Sequence, residues 1–214
     1  MKSNAWIGMV VAGFAASVSA QAGVNLLVNG SFEQPALAGA VQSFSNGQAV
    51  GPGWFKLSGA LTSTLLSGAQ PGYLAAQDGD QRIEVGTVYT SGFYQEVTLT
   101  AGTNYLLSFF QSGFNGDDSL VDAGVFGSNG RSLAANHVNG FSWTQHTLEF
   151  TPVSTGSYFV IFSAGVTSSA GAAVVDNVSL VELTEVPEPS SAAAIAGAGA
   201  LGLVLGRRSR RRSV

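Results

Sequence analysis

Between residues 23 and 185 no stretch sustains a helical period. Short apolar or alternating runs recur instead, at 24–28, 54–57, 61–66, 81–85, 92–99, 105–111, 123–126, 142–150, 158–164 and 173–183, with Gly, Asn, Asp, Ser and Pro between them. Each run is too short for a stable helix and long enough for a strand. Many short strands with turn residues between them predict an all-β fold, an antiparallel sandwich or barrel. The chain has no cysteine. Disulfides, thiolate metal sites and cysteine catalysis are therefore excluded, and the fold must rest on its apolar core. About 160 residues suffice for such a core in one domain.

Period-two alternation assigns faces. In 105–111, Tyr105, Leu107 and Phe109 share one side, and Leu106, Ser108 and Phe110 the other. In the last run, Val174, Asp176, Val178 and Leu180 form the more apolar set and are expected to face the core. Asp176 would then be a carboxylate on the core side, where an unpaired charge is too costly. Its expected partner is either Arg82 or a calcium ion.

The two ends carry address signals. Lys2, an apolar stretch from Ala5 to Ala16 and small residues up to Ala22 read as a secretory signal peptide over 1–22, cut after Ala20 or Ala22. An uncleaved anchor is the alternative, although the apolar run is short of the ~20 residues a span needs. At the other end stand Pro187, Glu188 and Pro189, an apolar Ala/Gly/Leu segment over about 191–206, and five arginines within 207–212. The arginines fit a cytoplasmic stop-transfer flank. A nucleic-acid-binding tail is the competing reading, and export argues against it. This three-part tail, 186–214, resembles the PEP-CTERM sorting signal of Gram-negative bacteria. The resemblance implies export, a transient inner-membrane intermediate held by a C-terminal helix, and processing by an exosortase-type enzyme. It also implies a final place at the cell surface or in the extracellular matrix.

Without its ends the chain is acidic. Over 23–185 the basic residues Lys56, Arg82 and Arg131 stand against twelve acidic ones, a formal charge of −9. Such a domain is a poor partner for nucleic acid or anionic lipid, and a reasonable one for cations and neutral glycans.

Several segments in order carry a second likeness. They are Asn25 to Glu33 with its Asn29-Gly30-Ser31-Phe32-Glu33, Gly53-Trp54, Asp78-Gly79-Asp80 to Val85, Gln95 to Phe109, Trp143 to Phe150, and Val175-Asp176-Asn177-Val178. Together they resemble the DUF642 group and galactose-binding-like, carbohydrate-binding-module-like jelly rolls. The plant members carry cysteines, so no plant-type ligand is carried over. The resemblance implies an antiparallel jelly-roll β-sandwich over 23–185. It also implies a structural calcium near the first and last strands, held by Glu33, Asp176 and backbone carbonyls. Two carboxylates plus carbonyls suit a hard cation that takes six to eight oxygens. Without the metal, Glu33 would cap a turn and Asp176 would pair with Arg82.

No catalytic constellation stands out. The two histidines, His137 and His146, lack His-Glu-x-x-His spacing, and no Gly-x-Ser-x-Gly elbow occurs. The carboxylate pairs Asp78/Asp80, Asp117/Asp118 and Glu84/Glu96 read as turns, a solvated loop and strand positions rather than a glycosidase pair. Sugar binding needs less: aromatic faces that stack on pyranose rings, with a few hydrogen-bonding groups. Of Trp54, Tyr73, Phe93, Tyr94, Phe114 and Trp143, the loop-flanking Trp54 and Tyr73 are the expected sugar contacts. Trp143 and one of Phe93 and Tyr94 are expected in the core. The resulting expectation is a non-enzymatic, exported polysaccharide-binding protein. The alternatives are a self-associating matrix component and, less favoured, a polysaccharide hydrolase.

Overall fold

The structure, a computed structural model, describes residues 21–57, 63–86, 92–115, 118–127, 130–139, 141–164 and 172–184. The expected signal peptide up to Ala20, Asp117, the motif Pro187-Glu188-Pro189 and the apolar segment 191–206 lie outside these residues, as do the side chains of 130–139, His137 included. Contacts gather Ala22–Leu183 into one compact unit; the second, Met1–Gln21 with Thr184–Val214, lies almost wholly outside the described residues. Among the described residues no helix is long and apolar enough to cross a membrane.

Thirteen strands form two antiparallel sheets: β1 (Gln21–Ala22), β2 (Val41–Phe44), β3 (Ala49–Gly51), β4 (Trp54–Lys56), β5 (Ser63–Ser67), β6 (Gln81–Gly86), β7 (Gly92–Leu99), β8 (Tyr105–Gly113), β9 (Asp118–Gly127), β10 (Gly130–Asn139), β11 (Thr144–Phe150), β12 (Gly156–Ala164) and β13 (Ala173–Thr184). One sheet runs β11-β8-β13-β6-β5-β2, with β1 pairing β13 off this path, and the other runs β10-β9-β12-β7-β4-β3. From β6 onward the chain crosses to the other sheet at every step except the β9–β10 hairpin, which gives a sandwich of jelly-roll type. The expected strand at 24–28 is an extended arm instead, tied down by Leu26 N–H donating to the Leu180 carbonyl (2.8 Å). Strands β1, β2, β3 and β10 have no counterpart among the predicted runs.

The core follows the alternation. Leu65, Ile83, Val85, Tyr105, Leu107, Phe109, Val175 and Leu180 from the first sheet meet Trp54, Phe93, Val97, Leu99, Val125, Tyr158, Val160 and Phe162 from the second. Its centre is aromatic: Phe93 stacks on Phe162 (5.2 Å, 17°), and Phe109 meets Phe162 edge-on (4.9 Å, 82°).

Each residue of Asn29-Gly30-Ser31-Phe32-Glu33 has a local reason. The Asn29 amide closes a loop on Gln34, accepting its N–H at 3.0 Å and donating to its carbonyl at 2.7 Å. Gly30 lies against β13, where a Cβ would come 2.0 Å from the Val178 carbonyl oxygen. Ser31 donates to the Asp78 carboxylate at 2.6 Å. Phe32 enters the core beside Trp54 and Phe93, its ring centroid 5.3 Å from each. Glu33 reaches across to the turn before β6, accepting from Asp80 N–H (2.9 Å) and Gln81 N–H (2.8 Å).

The last strand corrects an expectation. Its register against β8 shifts between Asp176 and Ser179, and Asn177 adopts φ 48°. One extra residue reverses the phase of alternation. Val175 and then Val178 and Leu180 therefore face the core, while Val174 and Asp176 point out of the sandwich. Asp176 is nonetheless fully buried, because residues 68–80 cover the outer face of its sheet.

Candidate functional site

Two outer faces hold the remaining chemistry. On the first sheet, residues 68–80 form a cover over Leu66, Arg82, Ser112, Val174 and Asp176, all buried. The cover is pinned along its length. The Arg82 Nη1 donates to the Gly68 carbonyl (2.9 Å), Asn115 N–H to the Gly72 carbonyl (2.8 Å), and the Trp143 indole to the Ala75 carbonyl (2.9 Å). Tyr73 donates its hydroxyl to Glu84 (2.6 Å), with its ring 4.7 Å from Phe114 and 5.8 Å from the Arg82 guanidinium carbon. Burial, reinforced by Glu84, pushes the Tyr73 phenol far above its ordinary range.

Asp176 holds the far end of the cover. It accepts Gln77 N–H (2.7 Å), Asp78 N–H (3.0 Å) and Asn177 N–H (2.7 Å). Burial pushes its carboxyl up to about 7, against the pull of those three bonds. The expected pairing with Arg82 is not made: the Arg82 Nε and Nη2 have no hydrogen-bond partner. Glu33 and Asp176 are thus brought to the two ends of one turn, 77–81. No group of three or more His, Asp or Glu able to hold a metal occurs among the described residues. Further ligands for a cation there would have to be backbone carbonyls and water.

On the second sheet the outer face is open. Because Trp54 and Lys56 point inward, Phe55 points out; the same alternation turns Tyr94 and Glu96 on β7, and Phe159 and Ile161 on β12, outward. Phe55 and Tyr94 stack at 5.7 Å and 30°, and Tyr94 meets Phe159 edge-on at 5.8 Å and 74°. Phe55 and Phe159 are each 38 % exposed. Glu96 stands opposite Phe159 and accepts from the Ser157 hydroxyl. Opposite Ile161 is Gly124, which contributes no side chain, and Asp122 lies one step further along the same face, opposite Ser163. Exposed aromatic rings beside carboxylates can stack on the C–H faces of sugar rings and attract cations to their π faces.

Trp54, an expected sugar contact, is corrected. It is fully buried, its indole donates to the Asn29 carbonyl (3.0 Å), and no ring face is available. Tyr73 is half-buried within the cover on the opposite sheet, so the two expected contacts are not brought together. Phe93 is buried as expected, whereas Trp143 is only half-buried. His146 stacks near Phe109 (5.3 Å), and burial lowers its pKa, a structural setting rather than that of a base. Sequence reasoning passed over Phe55 and Phe159. The signal was present: each follows an inward aromatic, Trp54 or Tyr158, in an alternating strand.

Comparison with known proteins separates address from fold. Residues 185–212 match the PEP-CTERM protein-sorting motif. The motif implies export, processing by an exosortase and sorting to the cell envelope. No curated protein matches the chain. Among solved structures, the chain is similar to the CBM22-1–CBM22-2 tandem domain of Paenibacillus barcinonensis Xyn10C, at 18 % identity and TM-score 0.50, over 80 % of this chain and 50 % of that one. It is also similar to an arabinose-bound α-L-arabinofuranosidase, MgGH51, at 18 % identity and TM-score 0.52, over 77 % of this chain but only 27 % of that enzyme. The chain thus spans about a quarter of the arabinofuranosidase it matches. These likenesses show the fold: the jelly-roll β-sandwich of carbohydrate-binding modules.

Proposed function

We propose that the chain is an exported surface protein whose sandwich binds polysaccharide without cleaving it. The observation that carries the reading is the row Phe55, Tyr94 and Phe159 on the outer face of the second sheet, with Phe55 and Phe159 exposed and Tyr94 half-buried between them. Rings held at strand spacing on a rigid sheet offer stacking area with little ordering cost. The jelly-roll fold is consistent with that role, although fold alone does not assign it. The carboxylates with partners have structural work: Glu33 and Asp176 hold backbone N–H groups, Glu84 holds Tyr73, and Glu96 accepts from Ser157. That allocation favours a binding role over hydrolysis, which needs two carboxylates poised across a scissile bond.

In this reading 1–22 is a removed signal peptide, 23–185 the binding domain and 186–214 the sorting signal, with 191–206 crossing the inner membrane until the exosortase acts. The destination is the surface or extracellular matrix of a Gram-negative bacterium. A structural calcium belongs to the proposal, held by Glu33 and Asp176 with backbone carbonyls, fastening the 77–81 turn.

The test is affinity electrophoresis of the purified full chain against a polysaccharide panel that includes the host's own exopolysaccharide, with calcium and with chelator. Selective retardation is expected. Phe159→Ala or Tyr94→Ala should weaken it about tenfold, the loss of one stacking contact. Retardation by no glycan, together with concentration-dependent oligomerisation, would replace this reading with that of a self-associating matrix protein. A melting temperature indifferent to chelator would remove the calcium.

A further inference from the structure

We infer that the polysaccharide taken by the open face is amine-bearing, its sugar units carrying protonated amino groups. The inference rests on the carbohydrate reading above and adds the ligand's charge to it. Its first observation is the fate of the basic residues. Lys56 and Arg82 are both fully buried, Lys56 donating to the Leu57 carbonyl and Arg82 to that of Gly68. Two of the three positive charges of 23–185 are therefore withdrawn from the surface. The third, Arg131, belongs to the edge strand β10, in register with Phe126, which is itself opposite Phe159. Of the acidic residues with described side chains, only Asp176 is buried. A glycan approaching the domain meets a negative field, which repels polyanions such as polyuronates and draws in polycations.

The second observation is local. Glu96 is exposed and stands opposite Phe159, two residues along the strand from Tyr94; Asp122 lies on the far side of the Ile161–Gly124 pair. The aromatic row thus has Glu96 directly beside it, with Phe126 on the other side of Phe159 and Asp122 further along the same face. An ammonium group on a stacked sugar would meet both an aromatic π face and a carboxylate, each attractive to a cation. A neutral pyranose would use the rings and leave Glu96 to its bond from the Ser157 hydroxyl, with its second oxygen unused by the ligand.

The decisive comparison keeps the sugar skeleton constant. Calorimetric titration of the full chain, at mildly acidic pH, would use a β-linked glucosamine oligomer and the N-acetylglucosamine oligomer of equal length, with a neutral glucan and a polyuronate beside them. The amine form should bind about tenfold more tightly, the scale of one cation–π contact with one exposed ion pair. The preference should shrink at about 0.5 M salt, where screening is short-ranged. Glu96→Gln with Asp122→Asn should abolish the preference while leaving the N-acetylated oligomer bound. Equal or tighter binding of the N-acetylated form or the glucan, or a preference unmoved by salt and by the double substitution, would overturn the inference and leave the carbohydrate reading standing. Binding of none of the four glycans would overturn both.

Discussion

At the scale of single residues, Asp176 is the group whose environment departs most from its sequence expectation. Its carboxylate is buried and forms no ion pair with nearby Arg82, and three backbone N–H bonds offset that burial only in part, so its folded pKa rises from 3.8 to about 7. The sign follows from proton binding. Between about pH 4 and 7 the folded chain holds a proton that the unfolded chain has lost, so stability falls as pH rises through that window. Three units correspond to at most about 4 kcal/mol. In the presence of chelator, the free energy of unfolding should therefore decline from pH 4 to 7 and level off above it. Asp176→Asn, which keeps an acceptor for Gln77 and Asp78, should flatten that part of the profile. A wild-type profile that rises across the window would contradict the buried, unpaired carboxylate. Asp176 was legible in the sequence as a costly carboxylate, and its solution was not. Alternation put it in the core, and only the register shift at Asn177 turns it outward to meet the cover.

At the scale of elements, what the sequence made plain was local and what it concealed was pairing. The long alternating runs 92–99, 105–111, 158–164 and 173–183 became β7, β8, β12 and β13, because a two-sided strand advertises its faces. β2 and β3, at four and three residues, carry too few side chains to show a period, and β10 mixes small and polar residues on both of its faces. The opening arm failed in another way: its residues read as a strand, but its bonds to β13 come partly from the Asn25 side chain, which accepts Leu180 N–H (2.9 Å) and donates to the Val178 carbonyl (3.1 Å). Gly30 lets arm and strand approach this closely. Gly30→Ala would push a Cβ into the Val178 carbonyl, and neither backbone can retreat without breaking Val178 N–H to Gly30 carbonyl (2.9 Å). A loss of about 1–3 kcal/mol is expected by denaturant unfolding, the range for forced overpacking. Conversely, Gly39→Ala, where a Cβ meets nothing within 4 Å, should be close to neutral. Equal effects at the two glycines would mean that the arm does not dock on β13 as described.

For the whole molecule, fold and address were legible, and the site was only half so. Composition, turn residues and period pointed to the jelly roll, and the Pro-Glu-Pro tail to sorting. The sugar contacts were sought beside loops, because glycine and proline near Trp54 and Tyr73 suggested exposure. Packing took Trp54 inside, since the largest ring of a thin sandwich is worth most there, and left Tyr73 half-buried in the cover. The sorting motif and the acidic domain fit one another: a surface whose described Lys and Arg side chains are buried has little electrostatic attraction to an anionic membrane. In the proposed reading the tail holds the protein at the bilayer through its apolar run and its arginines. Deleting 186–214 should therefore release the protein from the membrane fraction of its native host, at a mobility unaffected by loss of the exosortase. Replacing the five arginines with glutamine should instead let the tail slip through the membrane, giving unprocessed protein outside. Membrane retention of the deleted form, or exosortase-dependent trimming of it, would place the sorting determinant within the sandwich and detach the Pro-Glu-Pro motif from its role.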